Sequence, residues 1–219
     1  MQNSETVQPE RVQPEREQQL FSHDREEVII LHDSLCGKVN ETILSREQII
    51  TKKIWAPNLK VMESKLDDIE DAGVIVVQAL TRDTGNKGVD DIYEHINDVV
   101  TKASSKARKV VISTVINRED ERNIREKVDL VNAHIKYKYI NDEKIIICDN
   151  QNLNDPKFRV NDGIHLTPHG ISVLATNLKY KIAEALDVKV IKKENGRRNR
   201  RYDDRLSFFN DGRYSWGLP

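Results

Sequence analysis

The alternation of short apolar stretches with longer segments of helical periodicity most constrains the fold of this chain. Five stretches rich in β-branched residues predict strands at about 28–31, 48–55, 73–80, 109–115 and 144–148. Apolar residues at helical spacing predict helices at about 58–69, 89–103, 119–139 and 167–186. Strands that alternate with helices form right-handed crossovers and a mainly parallel sheet. The sequence therefore predicts an α/β fold, a three-layer sandwich with a five-stranded sheet and helices on both faces.

Two polar ends flank this pattern, which occupies about residues 27–190. Residues 1–26 contain the tandem repeat VQPER and too few large apolar side chains for a core, so we expect a disordered arm. Residues 191–219 are basic and aromatic, which predicts either a disordered tail or an arm that binds RNA. The basic residues that would contact the nucleic acid are Lys192, Lys193, Arg197, Arg198, Arg200 and Arg201.

Cysteine usage and hydropathy favour an intracellular protein, either cytoplasmic or nuclear. The two cysteines, Cys36 and Cys148, lie far apart and lack the spacing of a metal site, which is typical of reduced, buried thiols. No apolar run approaches the ~20 residues that cross a bilayer, and the first residues do not resemble a signal peptide. We therefore expect neither a membrane segment nor a bound metal.

Polar side chains at two strand ends predict a nucleophilic site. In a parallel sheet, sites form outside the carboxyl ends of the strands, where Ser34 follows the first strand and a D-x-x-H loop precedes the last helix. A serine hydroxyl needs a base, and the base needs an acid that fixes its tautomer. The prediction is Ser34 as nucleophile, His165 as base and Asp162 as its partner. The alternative for Ser34 is the N-cap of a following helix.

These residues resemble the SGNH (GDSL-like) hydrolase superfamily. The resemblance spans about residues 27–187 and is most specific in the block DGIHLTPHG at 162–170. It implies a flavodoxin-like sandwich and the hydrolysis of a small acyl ester without a metal or other cofactor. It also implies that the backbone N–H of Ser34 donates to the oxyanion.

The sequence departs from the family pattern around the oxyanion hole. His32 stands where the family usually has a glycine, and residues 40–71 contain no glycine to supply a second N–H donor. Arg82 takes the place of the asparagine in the family's Gly-x-Asn-Asp block, and losing such a donor costs ~10²–10³ in rate. The guanidinium of Arg82 either donates instead or points to solvent. We expect Arg82, Asp83 and His32 to line the site.

Two functional hypotheses follow from this combination. The complete set of triad residues favours a serine esterase that acts on a small ester substrate. The altered oxyanion blocks and the basic tail favour a catalytically inactive module that binds a ligand such as RNA. In its polar arm and tail the chain is similar in style to SGNH-like domains of animal retroelement-related proteins, which is a resemblance at the level of the fold.

Overall fold

Five parallel strands form the central sheet of the protein. The computed structural model describes residues 25–46, 48–121 and 123–192, together with the backbone of 214–217. The strands are β1 (Glu26–His32), β2 (Ile49–Trp55), β3 (Ala72–Gln78), β4 (Ala107–Ser113) and β5 (Ile145–Cys148). Their order across the sheet is β2-β1-β3-β4-β5, and every pair is parallel. The predicted five-stranded parallel sheet is confirmed.

Helices cover both faces of this sheet. They are α1 (Leu59–Lys65), α2 (Thr81–Asn86), α3 (Val89–Lys106), α4 (Ile124–Tyr139) and α5 (Pro168–Ala185). Successive side chains of β1 point to opposite faces, so Ile29 and Leu31 join one buried cluster with α1, α3 and α4. Val28 and Ile30 join a second buried cluster with α5. The three-layer sandwich predicted from the sequence is therefore confirmed.

The largest differences from the predicted elements lie in the loops that follow β1, β3 and β4. Residues 34–38 form hydrogen-bonded turns instead of a helix, so Ser34 is not a helix N-cap. The short helix α2 was not predicted, because its sequence TRDTGN carries no apolar stripe. α4 begins at Ile124 rather than near 119, because the buried Arg118 holds the preceding loop against α2.

A short pairing of two further strands lies outside the main sheet. β6 (Lys189–Lys192) and β7 (Tyr214–Gly217) pair in antiparallel fashion. The sequence analysis predicted no strand in this tail, although the alternation of aromatic and polar residues at 214–216 is typical of one. The remaining tail residues and residues 1–24 of the predicted arm (1–26) lie outside the described residues, whereas Glu26 belongs to β1. None of the described helices has the length and apolar character to span a bilayer.

The strand order determines where a site forms. The chain leaves β1 toward β2 on one side and continues with β3 on the other, so the order reverses between β1 and β3. Crevices at such a reversal, outside the carboxyl ends of the strands, are where open α/β sheets bind ligands. Ser34 follows β1 at this point, and Arg82 follows β3.

Candidate active site

The turn that carries Ser34 is built around the buried carboxylate of Asp33. Its Oδ1 accepts the backbone N–H of Leu35 at 3.0 Å, and its Oδ2 accepts that of Thr81 at 3.2 Å. Burial raises the pKa of Asp33, and the hydrogen bonds from Thr81 and Leu35 oppose that rise. Asp33 thus ties the end of β1 to the start of α2 and leaves the Ser34 side chain exposed.

Asp162 and His165 form a hydrogen-bonded pair on the loop before α5. The His165 Nδ1 lies 2.7 Å from Asp162 Oδ2, while Asp162 Oδ1 accepts the backbone N–H groups of Ile164 and His165, both at 2.8 Å. Hydrogen bonds from the backbone and ring of His165 and from Ile164 lower the pKa of Asp162 to about 2. An ionised acid at Nδ1 favours the tautomer in which Nδ1 carries the proton, which leaves Nε2 as the base.

The backbone of this loop is fixed by Gly163 and by the cap of α5. Gly163 has φ of 69°, and its carbonyl accepts the N–H of Glu119 at 2.9 Å. A Cβ at this position would lie 3.0 Å from the backbone nitrogen of Asp120, so a side chain there meets both strain and contact. Thr167 caps α5 by accepting the N–H of Gly170 at 3.2 Å, with Pro168 at the first helical position.

Ser34 and His165 line one cleft of about 330 Å³ at the carboxyl edge of the sheet. Its walls include Trp55, Arg82 and Ile164. Within the described residues no hydrogen bond joins the Ser34 hydroxyl to the His165 ring. Catalytic hydrogen bonds are often long before substrate binds and tighten in the complex. The fold brings the two predicted side chains to the same site without a direct bond between them.

The candidate oxyanion donors of this cleft are the backbone N–H groups of Ser34 and of the residues that follow β2. No acceptor for the Ser34 N–H occurs among the described residues. The N–H of Ala56 donates to the His32 carbonyl at 2.9 Å, and Pro57 has no N–H. The sequence lacks the family's glycine donor, and neither Ala56 nor Pro57 offers a free backbone N–H in its place.

Leu80 adopts a backbone conformation that suits glycine. It has φ of 86° and is buried, and it immediately precedes α2. With Arg82 at the asparagine position, Leu80 takes the place of the glycine in the family's Gly-x-Asn-Asp block, and a positive φ at Leu80 supports that match. Arg82 accordingly follows at the asparagine position, exposed in the cleft.

Asp83 is buried and does not line the cleft, contrary to the expectation. Its Oδ2 accepts the backbone N–H of Leu59 at 3.0 Å at the start of α1, and its Oδ1 lies 3.1 Å from the ammonium group of Lys87. The carboxylate is therefore committed to joining α2 with α1. Its effect on the site is to hold the helix that carries Arg82.

His32 also lies beneath the cleft instead of lining it. The N–H at its Nδ1 donates to the Asp33 carbonyl at 2.9 Å, and the ring packs edge-on against Trp55 with centroids 5.6 Å apart. Burial lowers the pKa of His32, which favours the neutral ring. His32 supports the Trp55 wall and the turn after β1.

Arg118, which was not predicted from the sequence, lies after β4 and contributes to the cleft wall. Its guanidinium donates to the Thr81 carbonyl at 2.5 Å and, through Nε, to the Asp120 carboxylate at 2.9 Å. The pair with Asp120 raises the pKa of Arg118 and lowers that of Asp120. The run of charged residues at 118–122 is typical of the start of an exposed helix, so the burial of Arg118 could not be predicted from it.

The remaining predicted features fall outside this cleft. Cys36 and Cys148 are free and buried, and burial raises the pKa of each thiol to about 12. Among the described residues, no cluster of three or more His, Cys, Asp or Glu side chains could hold a metal ion. Of the candidate RNA contacts, Lys192 is the last residue of β6 with its side chain outside the described part of the chain. The others, which are Lys193, Arg197, Arg198, Arg200 and Arg201, lie entirely outside it.

Comparison with solved structures identifies the fold. A GDSL-like lipase from Bacteroides thetaiotaomicron superposes with a TM-score of 0.61 at 17% identity, over 73% of this chain and 89% of that one. The C-terminal catalytic domain of peptidoglycan O-acetyltransferase A from Streptococcus pneumoniae gives 0.59 at 15% identity, over 74% and 96%. An acetylxylan esterase from Geobacillus stearothermophilus gives 0.58 at 12% identity, over 72% and 94%. No protein-family model and no curated protein sequence matches the chain.

These likenesses assign the protein to a class of fold. The chain has the fold of the SGNH (GDSL-like) hydrolases, as the resemblance of its motifs implied. At such low identity the shared architecture carries no activity by itself.

Proposed function

We propose that this protein hydrolyses small acyl esters with Ser34, His165 and Asp162. The observation that carries the proposal is the convergence of an exposed serine with a carboxylate-oriented histidine on one cleft at the switch point of the sheet. The fold neighbours named as a lipase, an O-acetyltransferase and an acetylxylan esterase support acyl chemistry. A cleft of about 330 Å³ is at the small end for ligand pockets, which favours a short acyl group.

The reaction follows from the order of these groups. The Ser34 hydroxyl oxygen attacks the ester carbonyl carbon while its proton passes to Nε2 of His165. The oxyanion that forms accepts the N–H of Ser34. The C–O bond then breaks, and the departing alcohol takes the proton from His165. A water molecule, activated by the same ring, hydrolyses the acyl-serine and restores the free hydroxyl.

Asp162 keeps its charge through this cycle. Its lowered pKa, at about 2, means that it remains a carboxylate when His165 takes the proton. The imidazolium that forms is therefore stabilised by the ion pair without a second proton transfer. The shortage of oxyanion donors acts in the other direction. Two of the family's three donors are missing, and we expect each missing donor to slow turnover by about 10²–10³.

The test is turnover of short-chain nitrophenyl esters by the purified protein. We expect ester hydrolysis by the wild type and none above the buffer rate for Ser34→Ala. Ser105→Ala is the matched control, because Ser105 is exposed on α3 and does not line the cleft. Equal turnover in the wild type and Ser34→Ala, or no turnover by a folded wild type, would contradict the proposal. Circular dichroism checks that the variants fold.

A further inference from the structure

Arg82 differs from Arg118, which also lines the cleft, because no acid neutralises it. Arg118 is paired with Asp120, and its Nη2 lies 3.7 Å from the Glu121 carboxylate. His165 is paired with Asp162. Within the part of the chain that the structure describes, no carboxylate forms an ion pair with Arg82, whose side chain is exposed at the cleft wall.

The side chain of Arg82 is longer than that of the asparagine it replaces, so its charge can reach parts of a ligand beyond the reacting carbonyl. An asparagine at this position would present its amide close to the backbone, where an oxyanion forms beside the Ser34 N–H. The arginine fork lies several bonds further from the backbone and offers N–H donors in the flat geometry that matches carboxylate and phosphate groups. Arg82 thus suits recognition of a substituent of the substrate better than stabilisation of its oxyanion.

Trp55 adds an apolar wall to the same cleft. Its side chain is 53% exposed at the end of β2, which is unusual for a tryptophan, and Pro57 lies beside it in the lining. His32 buttresses the indole from below. An exposed and supported indole offers a flat surface for a ring or an aliphatic segment of a ligand.

We propose that the substrate of this site is an ester that also carries a negatively charged group, a carboxylate or a phosphate, bound by the guanidinium of Arg82. The apolar part of the ester packs on Trp55. This inference rests on the proposed ester hydrolysis and narrows its substrate class. Because Arg82 contacts the charged group in this proposal and not the reacting carbonyl, its removal is expected to lower kcat/KM for charged esters selectively.

The experiment compares matched charged and neutral esters. 4-Acetoxybenzoate is paired with 4-acetoxybenzamide, so that the charge lies on the leaving alcohol. 4-Nitrophenyl hemisuccinate is paired with its neutral methyl ester, so that the charge lies on the acyl group. 4-Acetoxyphenyl phosphate tests phosphate against carboxylate. For each substrate the ratio of kcat/KM between wild type and Arg82→Gln cancels differences in intrinsic reactivity.

We expect Arg82→Gln to lower kcat/KM by about 10-fold for at least one charged substrate and by less than about 2-fold for its neutral partner. Arg82→Lys is expected to retain part of the preference, and high salt is expected to reduce it in the wild type. Arg125→Gln is the control, because Arg125 is exposed on α4 and does not line the cleft.

Three outcomes would overturn the inference. An equal loss on charged and neutral esters would assign Arg82 to the oxyanion instead. Turnover without any charge preference would reject the anionic substrate and leave the proposed hydrolysis intact. A wild type that turns over none of the esters would reject the hydrolysis and the substrate class together.

Discussion

The Asp162 carboxylate orients the His165 ring and fixes the loop backbone at the same time. One oxygen faces Nδ1, and the other accepts two backbone N–H groups. These three hydrogen bonds lower the pKa of an acid that is about half exposed. A short polar segment can therefore hold a catalytic base without deep burial.

Replacing Asp162 by asparagine tests both roles. The amide presents a donor toward Nδ1 and favours the wrong tautomer, so we expect kcat to fall by about 10²-fold or more. Because the folded pKa lies below the ordinary value of about 3.9, the carboxylate stabilises the fold above about pH 4. That contribution is lost as the pH falls through about 2. Urea midpoints at several pH values should therefore converge for wild type and Asp162→Asn at acidic pH.

Asp155→Asn is the matched control for this prediction. Hydrogen bonds from Lys157 lower the pKa of Asp155 too, but Asp155 makes its hydrogen bonds to Lys157 and not to His165. We expect Asp155→Asn to keep the wild-type kcat. Unchanged kcat in Asp162→Asn, or a stability difference that persists below pH 2, would contradict the assigned role.

Individual residues were predictable where their chemistry is local in sequence. The D-x-x-H spacing reveals Asp162 and His165 because one tight loop contains both groups. The burial of Asp83 and His32 was not predictable, because it depends on contacts with α1 and Trp55 that only the packed fold supplies. Arg118 was missed for the same reason, since its partner carbonyl belongs to Thr81 in another element.

The loop from 159 to 167 acts as a unit that docks on the segment after β4. An antiparallel bridge joins Arg159 with Leu166, and the Glu119 N–H donates to Gly163. The Arg159 guanidinium donates to the Asn117 carbonyl at 3.0 Å through Nε. These contacts set the height of His165 above the sheet edge.

Gly163→Ala tests whether this docking positions the base. A left-handed alanine costs about 1–2 kcal/mol, and its Cβ would press on the Asp120 backbone. We expect a lower unfolding midpoint and a fall in kcat at a temperature where the variant is fully folded. Gly88→Ala is the control, because a Cβ there meets only the side chain of Asp91, at 3.4 Å. Wild-type kcat in a folded Gly163→Ala would show that the loop does not position His165.

Strands and long helices were predicted well because each carries its own periodic pattern. β3 and β5 are nearly continuous apolar runs, and α3 and α5 place apolar residues on one face. The bounds failed where polar residues become buried, as at Asn117 and Arg118, and where a short helix such as α2 has no apolar stripe. In both places tertiary hydrogen bonds decide the structure, and hydropathy does not report them.

The arrangement of the whole sheet brings the two halves of the site together. β1 lies next to β3 in the middle of the sheet, so Ser34 and Arg82 meet although 47 residues separate them. The loop before α5 closes over the same edge and supplies His165. A catalytically inactive binding module would have the same architecture. It differs from the proposed esterase because it needs no reactive hydroxyl at Ser34.

RNA binding by the tail remains a separate prediction at the scale of the whole chain. Replacing the basic residues by glutamine is expected to abolish binding to single-stranded RNA and to leave ester turnover unchanged. Wild-type affinity should fall steeply as salt rises, because phosphate contacts release counterions. Binding that is independent of salt, or that survives the substitution, would contradict this role. The substituted residues are Lys192, Lys193, Arg197, Arg198, Arg200 and Arg201.

The most direct test of the central claim is to locate a fluorophosphonate adduct on the purified protein by peptide mass spectrometry. An activated serine attacks the phosphorus with loss of fluoride, whereas an ordinary surface serine reacts far more slowly. We expect the adduct on the peptide that contains Ser34, and none in Ser34→Ala or His165→Ala. An unlabelled folded wild type, or equal labelling of His165→Ala, would contradict the claim that Ser34 and His165 act as a catalytic pair.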